Sequence, residues 1–377
     1  MRYSAALLES RALGAGQTVQ SQGIIHGGGK YAIHGPSSLP SVEAIKEMPG
    51  RWRAHLRGER APDLRAARLL SERCLLWLPK GSLLARLQSY GFVTMLGKTG
   101  MLHAAPISLP QAEWPEALRG SAIDAYTMAE PVLDTMSMLA ALAAPLREQI
   151  HSYDPGPDAS GVLLGPDGTV ELASPHTQVR ARAVVLAAGS GNGALLARAG
   201  LDAGLMQERP LRMFLLRGDL KPLFGHCVVG TKPQVTITSA TDAAGRVVWN
   251  VGGEVAEKTV GMAPEAALRE AAAEIRRALP GLDLSRVEIA QYDAQRAEAR
   301  TASLRRPSGV HASRVATRLW AAWPTKLALA PLLAEDLAQQ LSVELGPPGD
   351  YHAEPFGGPC PPVASPPWEQ AAWSPVP

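Results

Sequence analysis

Apolar and polar positions change period along the chain, and each change marks an element. Tyr3 to Leu8 is a short small-and-apolar run that ends at the acid Glu9, which suits a brief buried strand, and a turn rich in Gly and Ala follows to Gly16. Thr18 to Gly29 holds small residues and glycines, the composition of a helix start or a ligand-facing loop. Asp63 to Trp77 carries Leu64, Ala67, Leu70 and Cys74 at spacings of three and four, which predicts a helix. A second helix is predicted from Glu130-Pro131 to about Gln149, with Pro in its first turn and Asp134 nearby. Gly161 to Leu164 and Thr169 to Ala173 flank Gly165-Pro166-Asp167-Gly168 and read as a hairpin. Val179 to Gly193 alternates, then becomes a continuous apolar run, the pattern of a strand buried on both faces. A short apolar helix follows from Ala194 to Ala199. Leu211 to Leu216, Val235 to Thr238 and Arg246 to Val251 read as antiparallel strands, with Ala244-Gly245 turning into the last. Pro264 to Leu279 is a helix ended by Pro280-Gly281. Val287 to Tyr292 and Val315 to Trp323 are strands, and Leu327 to Leu341 is the final helix.

Strand–helix units at both ends, with an antiparallel block between them, predict an α/β (α+β) chain. One part is a Rossmann-like nucleotide domain that is discontinuous in sequence; the other is an antiparallel, β-rich domain. The 377 residues are enough for about two domains. With 37 basic against 35 acidic residues the formal net charge is +2, which gives no electrostatic footprint for nucleic acid and at most a peripheral association with membranes. Cys74, Cys227 and Cys360 are far apart and form no Cys-x-x-Cys, so neither a disulfide framework nor a structural zinc is expected, and the chain reads as reduced and cytoplasmic. No apolar run of about 18 residues occurs, and the apolar start is too short for a signal segment. From Gly346 onward the chain is Pro-rich and reads as an extended tail over the body.

Four segments carry candidate chemistry. Glu9 ends a strand, where an acid can hold ribose hydroxyls; a glutamate closing a surface strand is the plainer reading. Ser21-Gln22-Gly23-Ile24-Ile25-His26-Gly27-Gly28-Gly29-Lys30-Tyr31 has four glycines between 23 and 29, so its backbone could approach a flat ligand with His26 and Lys30 facing it; a solvated Gly-rich loop is the alternative. Ala183 to Gly191 is a strand ending in small residues, open either to a ligand or to close packing against a helix. Ala322-Trp323-Pro324-Thr325-Lys326-Leu327 passes from strand to helix, where backbone N–H groups and Lys326 would favour an electron-rich atom; a surface lysine in a first turn is equally ordinary.

In order, these segments and Glu130-Pro131-Val132-Leu133-Asp134, together with Trp249-Asn250-Val251-Gly252-Gly253, resemble the flavin-dependent oxidoreductases of the D-amino-acid-oxidase-like superfamily. The nearest look is to the glycerol-3-phosphate and 2-hydroxyglutarate dehydrogenase branch, over about Ala5 to Leu341, and the most specific pieces are Ile25-His26-Gly27-Gly28 and Thr325-Lys326-Leu327. The resemblance implies FAD as cofactor. It implies that Glu9 binds the adenosine ribose, that Ser21, Gly23, Ile24 and Gly27 line the pyrophosphate and flavin, and that Ala187 and Gly189 approach the adenylate. Thr325, Lys326 and Leu327 would lie at the flavin pyrimidine end. His26 would stand beside the flavin N5 edge as base or substrate anchor. Lys30 stands where the glycerol-phosphate enzymes carry a substrate-binding Arg, and Arg296 and Arg306 fall in a second substrate-binding region. Lys is a point charge without Arg's fork, so the anion recognised would differ.

The FAD-binding domain is then expected over 1–50, 130–205 and 315–345, the substrate domain over 51–129 and 206–314, and the tail over 346–377. The antiparallel strands between Leu211 and Val251 would roof the substrate side of the flavin. The expected reaction takes a hydride from a CH–OH or CH–NH carbon of a small polar, anionic metabolite; the electron acceptor is unknown. No Gly-x-Gly-x-x-Gly precedes Glu9, although the resemblance calls for one about 20 residues upstream. Either about 25–30 residues lie ahead of Met1, or the chain is a truncated, non-catalytic relative that serves as a binding or remnant protein.

Overall fold

The computed structural model describes residues 3–28, 39–81, 91, 104–153, 161–164, 169–174, 177–230, 232–304, 307, 309–346 and 359–377. They form two compact units. The first comprises Met1–Thr18, Leu139–Arg209 and Gln295–Ala364, and the second Val19–Met138, Pro210–Ala294 and Ser365–Pro377. The first unit's opening segment ends at Thr18, and the glycine-rich loop that follows belongs to the second. The reason is local: Ile24 bridges Val132, Leu133 N–H donates to Gly23 O at 2.9 Å, and Gln22 Nε2 donates to Thr236 O at 2.9 Å and Asn250 O at 2.8 Å. These bonds tie the glycine-rich loop to the second unit.

In the first unit, Leu7–Glu9 pairs in parallel with Ile150–Ser152, and Val184–Leu186 pairs in parallel with Leu319–Trp323. These pairs belong to two separate sheets. The Val184–Leu186 strand turns through small residues into the helix Gly191–Arg198, as its apolar run predicts. Leu319–Trp323 is buried at every residue and packs with Leu186, Leu196 and Ala297. Val315 to Trp323 is a hairpin rather than one strand: His311–Ala316 folds back on Leu319–Trp323, and Arg318 takes φ 58° in the turn. Gly161–Leu164, Val170–Ser174 and Thr177–Ala181 form an antiparallel sheet.

The second unit is built on a mostly antiparallel sheet of nine strands. Their order is Ser374–Pro375, Val287–Ala299, Met206–Gly218, Val247–Gly252, Lys232–Thr241, Gly225–Val229, Cys74–Pro79, Ala122–Met128 and Ile107–Ser108. Gly225–Val229 and Cys74–Pro79 run parallel. The strands expected between Leu211 and Val251 lie here, in a sheet separate from the parallel pairs. The helix Pro264–Ala278 lays Ala267, Ala271 and Ile275 on the core of Trp77, Phe214 and Trp249; the four-residue spacing puts them on one face, and the methyl side chains of Ala267 and Ala271 let it come close.

The helix expected over Asp63 to Trp77 is absent. Leu69–Ser71 and Cys74–Pro79 are strands, and Cys74 to Leu78 are all buried. A strand covered on both faces is apolar at every position and so supplies apolar residues at any spacing, including a helical one. The helix expected from Glu130-Pro131 starts later, as Thr135–Ala143 followed by a tighter turn over Ala144–Gln149. Asp134 caps it, its Oδ1 accepting from Met136 N at 3.0 Å and Ser137 N at 3.1 Å. Beyond residue 358 the tail is extended. Leu13 N–H donates to Pro362 O at 2.8 Å in the first unit, and in the second Trp368 is buried and the Arg217 guanidinium lies 4.2 Å over the Trp373 ring.

Candidate active site

The chemistry-bearing cluster of the second unit starts from one buried acid. Glu130 precedes the strand Val132–Leu133, and its side chain is 5% exposed. A carboxylate so placed needs partners. Its Oε1 accepts from Gly27 N at 2.6 Å, and its Oε2 lies 3.4 Å from His26 Nδ1. The loop is brought there by Ile25 N–H, which donates to Pro131 O at 2.9 Å. Burial works against the Glu130 charge, but the His26 contact, the nearby His226 and the Gly27 N–H outweigh it and hold the carboxyl below its ordinary range.

His226, on the strand Gly225–Val229, stacks on His26 with ring centres 5.6 Å apart and planes 30° apart. Its Nδ1 is 2.9 Å from Thr236 Oγ1, and its Nε2 is 4.0 Å from Cys74 Sγ. Burial pushes the Cys74 thiol well up, and the Glu130 charge adds to that, so this sulfur is not a nucleophile. The donor atoms of His26, Glu130 and His226 lie within 4.8 Å of one another, close enough for a divalent cation to span them. As they stand, Glu130 is hydrogen-bonded to His26, and His226 is held against the pair by ring stacking. Beneath the same loop, Tyr292 OH lies 3.2 Å from Asn250 Oδ1 and 3.3 Å from Gln20 O, and burial raises its phenol.

The first unit brings two strand ends together. Leu186 is paired with Ala321, so Ala187 to Ser190 and Pro324 to Lys326 leave the sheet at the same end. Asn192 is fully buried and joins the two exits: its Oδ1 accepts from Ala188 N at 2.8 Å and its Nδ2 donates to Ala322 O at 3.3 Å. Trp323 Nε1 donates to Gly189 O at 3.4 Å. Gly189 has φ 59°, and a Cβ there would meet nothing within 4 Å. Thr325 has φ 64°, an outlier for a β-branched residue, and its Oγ1 donates to Gly309 O at 2.6 Å. Lys326 is 9% exposed and begins the short turn Leu327–Leu329, in which Leu327 is half-buried. A strand ending in small residues with open, left-handed backbone, beside a buried lysine, fits a bound dinucleotide.

Among the expected site residues, Ser21, Gly23, Ile24, His26 and Gly27 fall in the second unit, and Glu9, Ala187, Gly189, Arg296, Thr325, Lys326 and Leu327 in the first. Gly23 is glycine for a packing reason, since a Cβ there would sit 2.1 Å from Leu133 O at φ 70°. Ile24 is core, and Ser21 Oγ accepts from Gly23 N at 3.2 Å. Glu9 Oε1 accepts from Arg11 N at 3.0 Å. Ala187 is exposed, and Arg296 is half-buried on the strand Val287–Ala299. Lys30 and Arg306 lie outside the described residues. The sequence pattern does not mark Glu130, His226 or Asn192 as site residues. A glutamate before a proline carries no local signal of a partner about a hundred residues away.

No family model matches the chain. It is 39% identical over 376 residues to the probable FAD-dependent oxidoreductase PA4991 of Pseudomonas aeruginosa, a match covering 98% of this chain and 92% of that protein. The crystal structure of that protein aligns with a TM-score of 0.77 at 34% identity, over 98% of this chain and 91% of that one. The fold is shared with glycine oxidase from Geobacillus kaustophilus, with a TM-score of 0.60 at 15% identity over 88% and 87% of the two chains. It is also shared with dithionite-reduced L-α-glycerophosphate oxidase from Mycoplasma pneumoniae with FAD bound, with a TM-score of 0.59 at 13% identity over 95% and 91%. Among the described residues no helix is long and apolar enough to cross a membrane. With that identity over nearly its whole length, the chain belongs to the FAD-dependent oxidoreductases, enzymes whose cofactor is FAD.

Proposed function

We propose that the enzyme oxidises a small, polar, anionic metabolite at a CH–OH or CH–NH carbon, with His26 taking the proton. The observation that carries this reading is the His26 ring itself. It is held by a buried carboxylate on a loop of glycines, yet its side chain keeps 26% of its exposure. An imidazole titrates near neutral pH, which suits proton abstraction from an alcohol or amine. FAD, when bound, supplies the two-electron acceptor. Ala187, Gly189, Thr325, Lys326 and Leu327 would hold it from the first unit, with Glu9 on the adenosine ribose. Ser21, Gly23, Ile24 and Gly27 would form the loop along it. Lys30, Arg296 and Arg306 would receive the anionic end of the substrate.

Names among the structural relatives include glycine oxidase and L-α-glycerophosphate oxidase; glycine carries a carboxylate and glycerophosphate a phosphate, so a cationic cluster suits either. The non-catalytic alternative is not favoured, because the chain keeps a paired, partly accessible histidine. The test is anaerobic flavin bleaching of the FAD-loaded protein by a panel of amino, imino and 2-hydroxy acids and glycerol phosphates. Bleaching by neutral alcohols or amines alone would overturn the anionic substrate class.

A further inference from the structure

We propose that Glu130 is a positioning residue for His26: its carboxylate grips the Nδ1 edge of the ring and the next backbone N–H together, so that the ring presents Nε2 as the proton acceptor. This rests on the reading of His26 as the base. One carboxylate makes both contacts, Oε1 to Gly27 N at 2.6 Å and Oε2 to His26 Nδ1 at 3.4 Å, so it fixes the ring and its own backbone as one piece. An ionised carboxylate only accepts hydrogen bonds. The nitrogen facing it must therefore carry the proton, which leaves the lone pair on Nε2. A proton arriving at Nε2 makes an imidazolium beside a buried anion, where the attraction is screened less than in water. The neutral ring gains only the hydrogen bond, so the pair favours the protonated product of the transfer.

The surroundings agree. Glu130 and His226, on Gly225–Val229, face the His26 ring, and Cys74, at the head of Cys74–Pro79, lies 4.0 Å from His226 Nε2. Arg53, on the helix Leu39–Leu56, donates to Ala129 O at 3.1 Å, beside Glu130. His226 covers one face of the His26 ring and is itself bonded to Thr236, so the ring is confined by a side-on carboxylate and a stacked imidazole.

The test is histidine-labelled ¹⁵N NMR of the full chain loaded with FAD, with His26→Gln to assign the signal. The wild-type ring should be the Nδ1–H tautomer above its titration. In Glu130→Gln it should shift toward Nε2–H, and its midpoint should fall by about one pH unit or more, the scale of one neighbouring charge. In the same variant the acid limb of kcat/KM, measured with the fastest substrate of the bleaching panel, should move to lower pH in parallel. An unmoved tautomer and midpoint overturns the proposal, as does a His26 signal that changes when EDTA strips a bound cation. Should Glu130→Gln fail to fold, a wild-type ring found as Nε2–H overturns it alone. The underlying reading fails separately: His26→Ala with wild-type turnover removes the base, whatever Glu130 does to the ring.

Discussion

Gly189 and Thr325 in the first unit sit in left-handed backbone beside open space and a buried lysine, whereas Gly23 in the second unit sits in left-handed backbone jammed against Leu133. The first unit is shaped by main chain: two strand exits, clamped by Asn192, keep small residues where a ligand can approach. The second is shaped by side chains: a buried acid, two imidazoles and a glutamine that stitches the loop to the sheet. Backbone shape of the first kind suits holding a large cofactor, and paired titratable groups of the second kind suit moving a proton. The two sets of residues should therefore fail differently when changed.

The largest effect expected is from Gly23→Ala. Its Cβ would meet Leu133 O at 2.1 Å in a conformation that also disfavours any side chain, so something in the backbone must give. Unfolding free energy should drop by about 3 kcal/mol or more, read by chemical denaturation. Gly189→Ala is the matching change in the first unit. It incurs only the left-handed backbone cost of about 1–2 kcal/mol, but it puts a methyl into the open space beside Trp323. That variant should fold and lose FAD, measured as the ratio of flavin to protein absorbance. Equal stability losses at the two glycines, with FAD retained at Gly189→Ala, would break the contrast.

His26→Ala comes next. Turnover should fall by about 100-fold or more with FAD still bound, the range for losing a general base and about 2.7 kcal/mol of barrier. Loss of FAD with no separate effect on turnover would make His26 a packing residue and would move the second unit to the binding side of the comparison.

A smaller effect is the acid sensitivity carried by Glu130. Its carboxyl is held below its ordinary value of 4.5 in the folded chain, so its stabilising contribution is complete above that pH and is lost as pH falls through the folded value. Denaturation midpoints followed downward from pH 6 should show an acid limb that is shallower in Glu130→Gln. An identical limb in both proteins would mean the His26 contact does not stabilise the ionised acid.

The two regions were unequally legible in the sequence. The strand, small-residue turn and helix over Val184 to Arg198 follow from an apolar run that stops at Gly and Ser, whereas the helix expected from Glu130-Pro131 begins only at Thr135, behind the Asp134 cap. Local chemistry of that kind acts within a few residues. The Glu130–His26–His226 cluster spans 200 residues of chain, and only His26 has a neighbourhood unusual enough to attract attention. Cys74 to Leu78 shows the opposite failure: uniform burial erased the period that would have marked a strand. The attachment of the glycine-rich loop is of the same long-range kind, since Gln22 bonds to two carbonyls more than 200 residues away.

The smallest effect expected lies at Thr325, where strain and a hydrogen bond oppose each other. Its φ of 64° costs a β-branched residue about 1–2 kcal/mol. Against that, its Oγ1 donates to Gly309 O at 2.6 Å, worth about 1 kcal/mol. Thr325→Ala keeps most of the strain, removes the bond and leaves a half-buried carbonyl short of that partner, so it should destabilise by about 1–2 kcal/mol. Thr325→Gly removes the same bond but also the strain, while a glycine adds about 1 kcal/mol of chain entropy to the unfolded state. The terms nearly cancel, and the melting temperature should stay close to wild type. If the strained turn serves to aim the Lys326 backbone at FAD, Thr325→Gly should still weaken flavin binding, because the loop is no longer held to one conformation. Flavin titration of the apoprotein checks this. A glycine variant that melts like wild type and binds FAD like wild type would show that the strain at Thr325 is incidental, and that the first unit holds its cofactor through Asn192 and the strand exits alone.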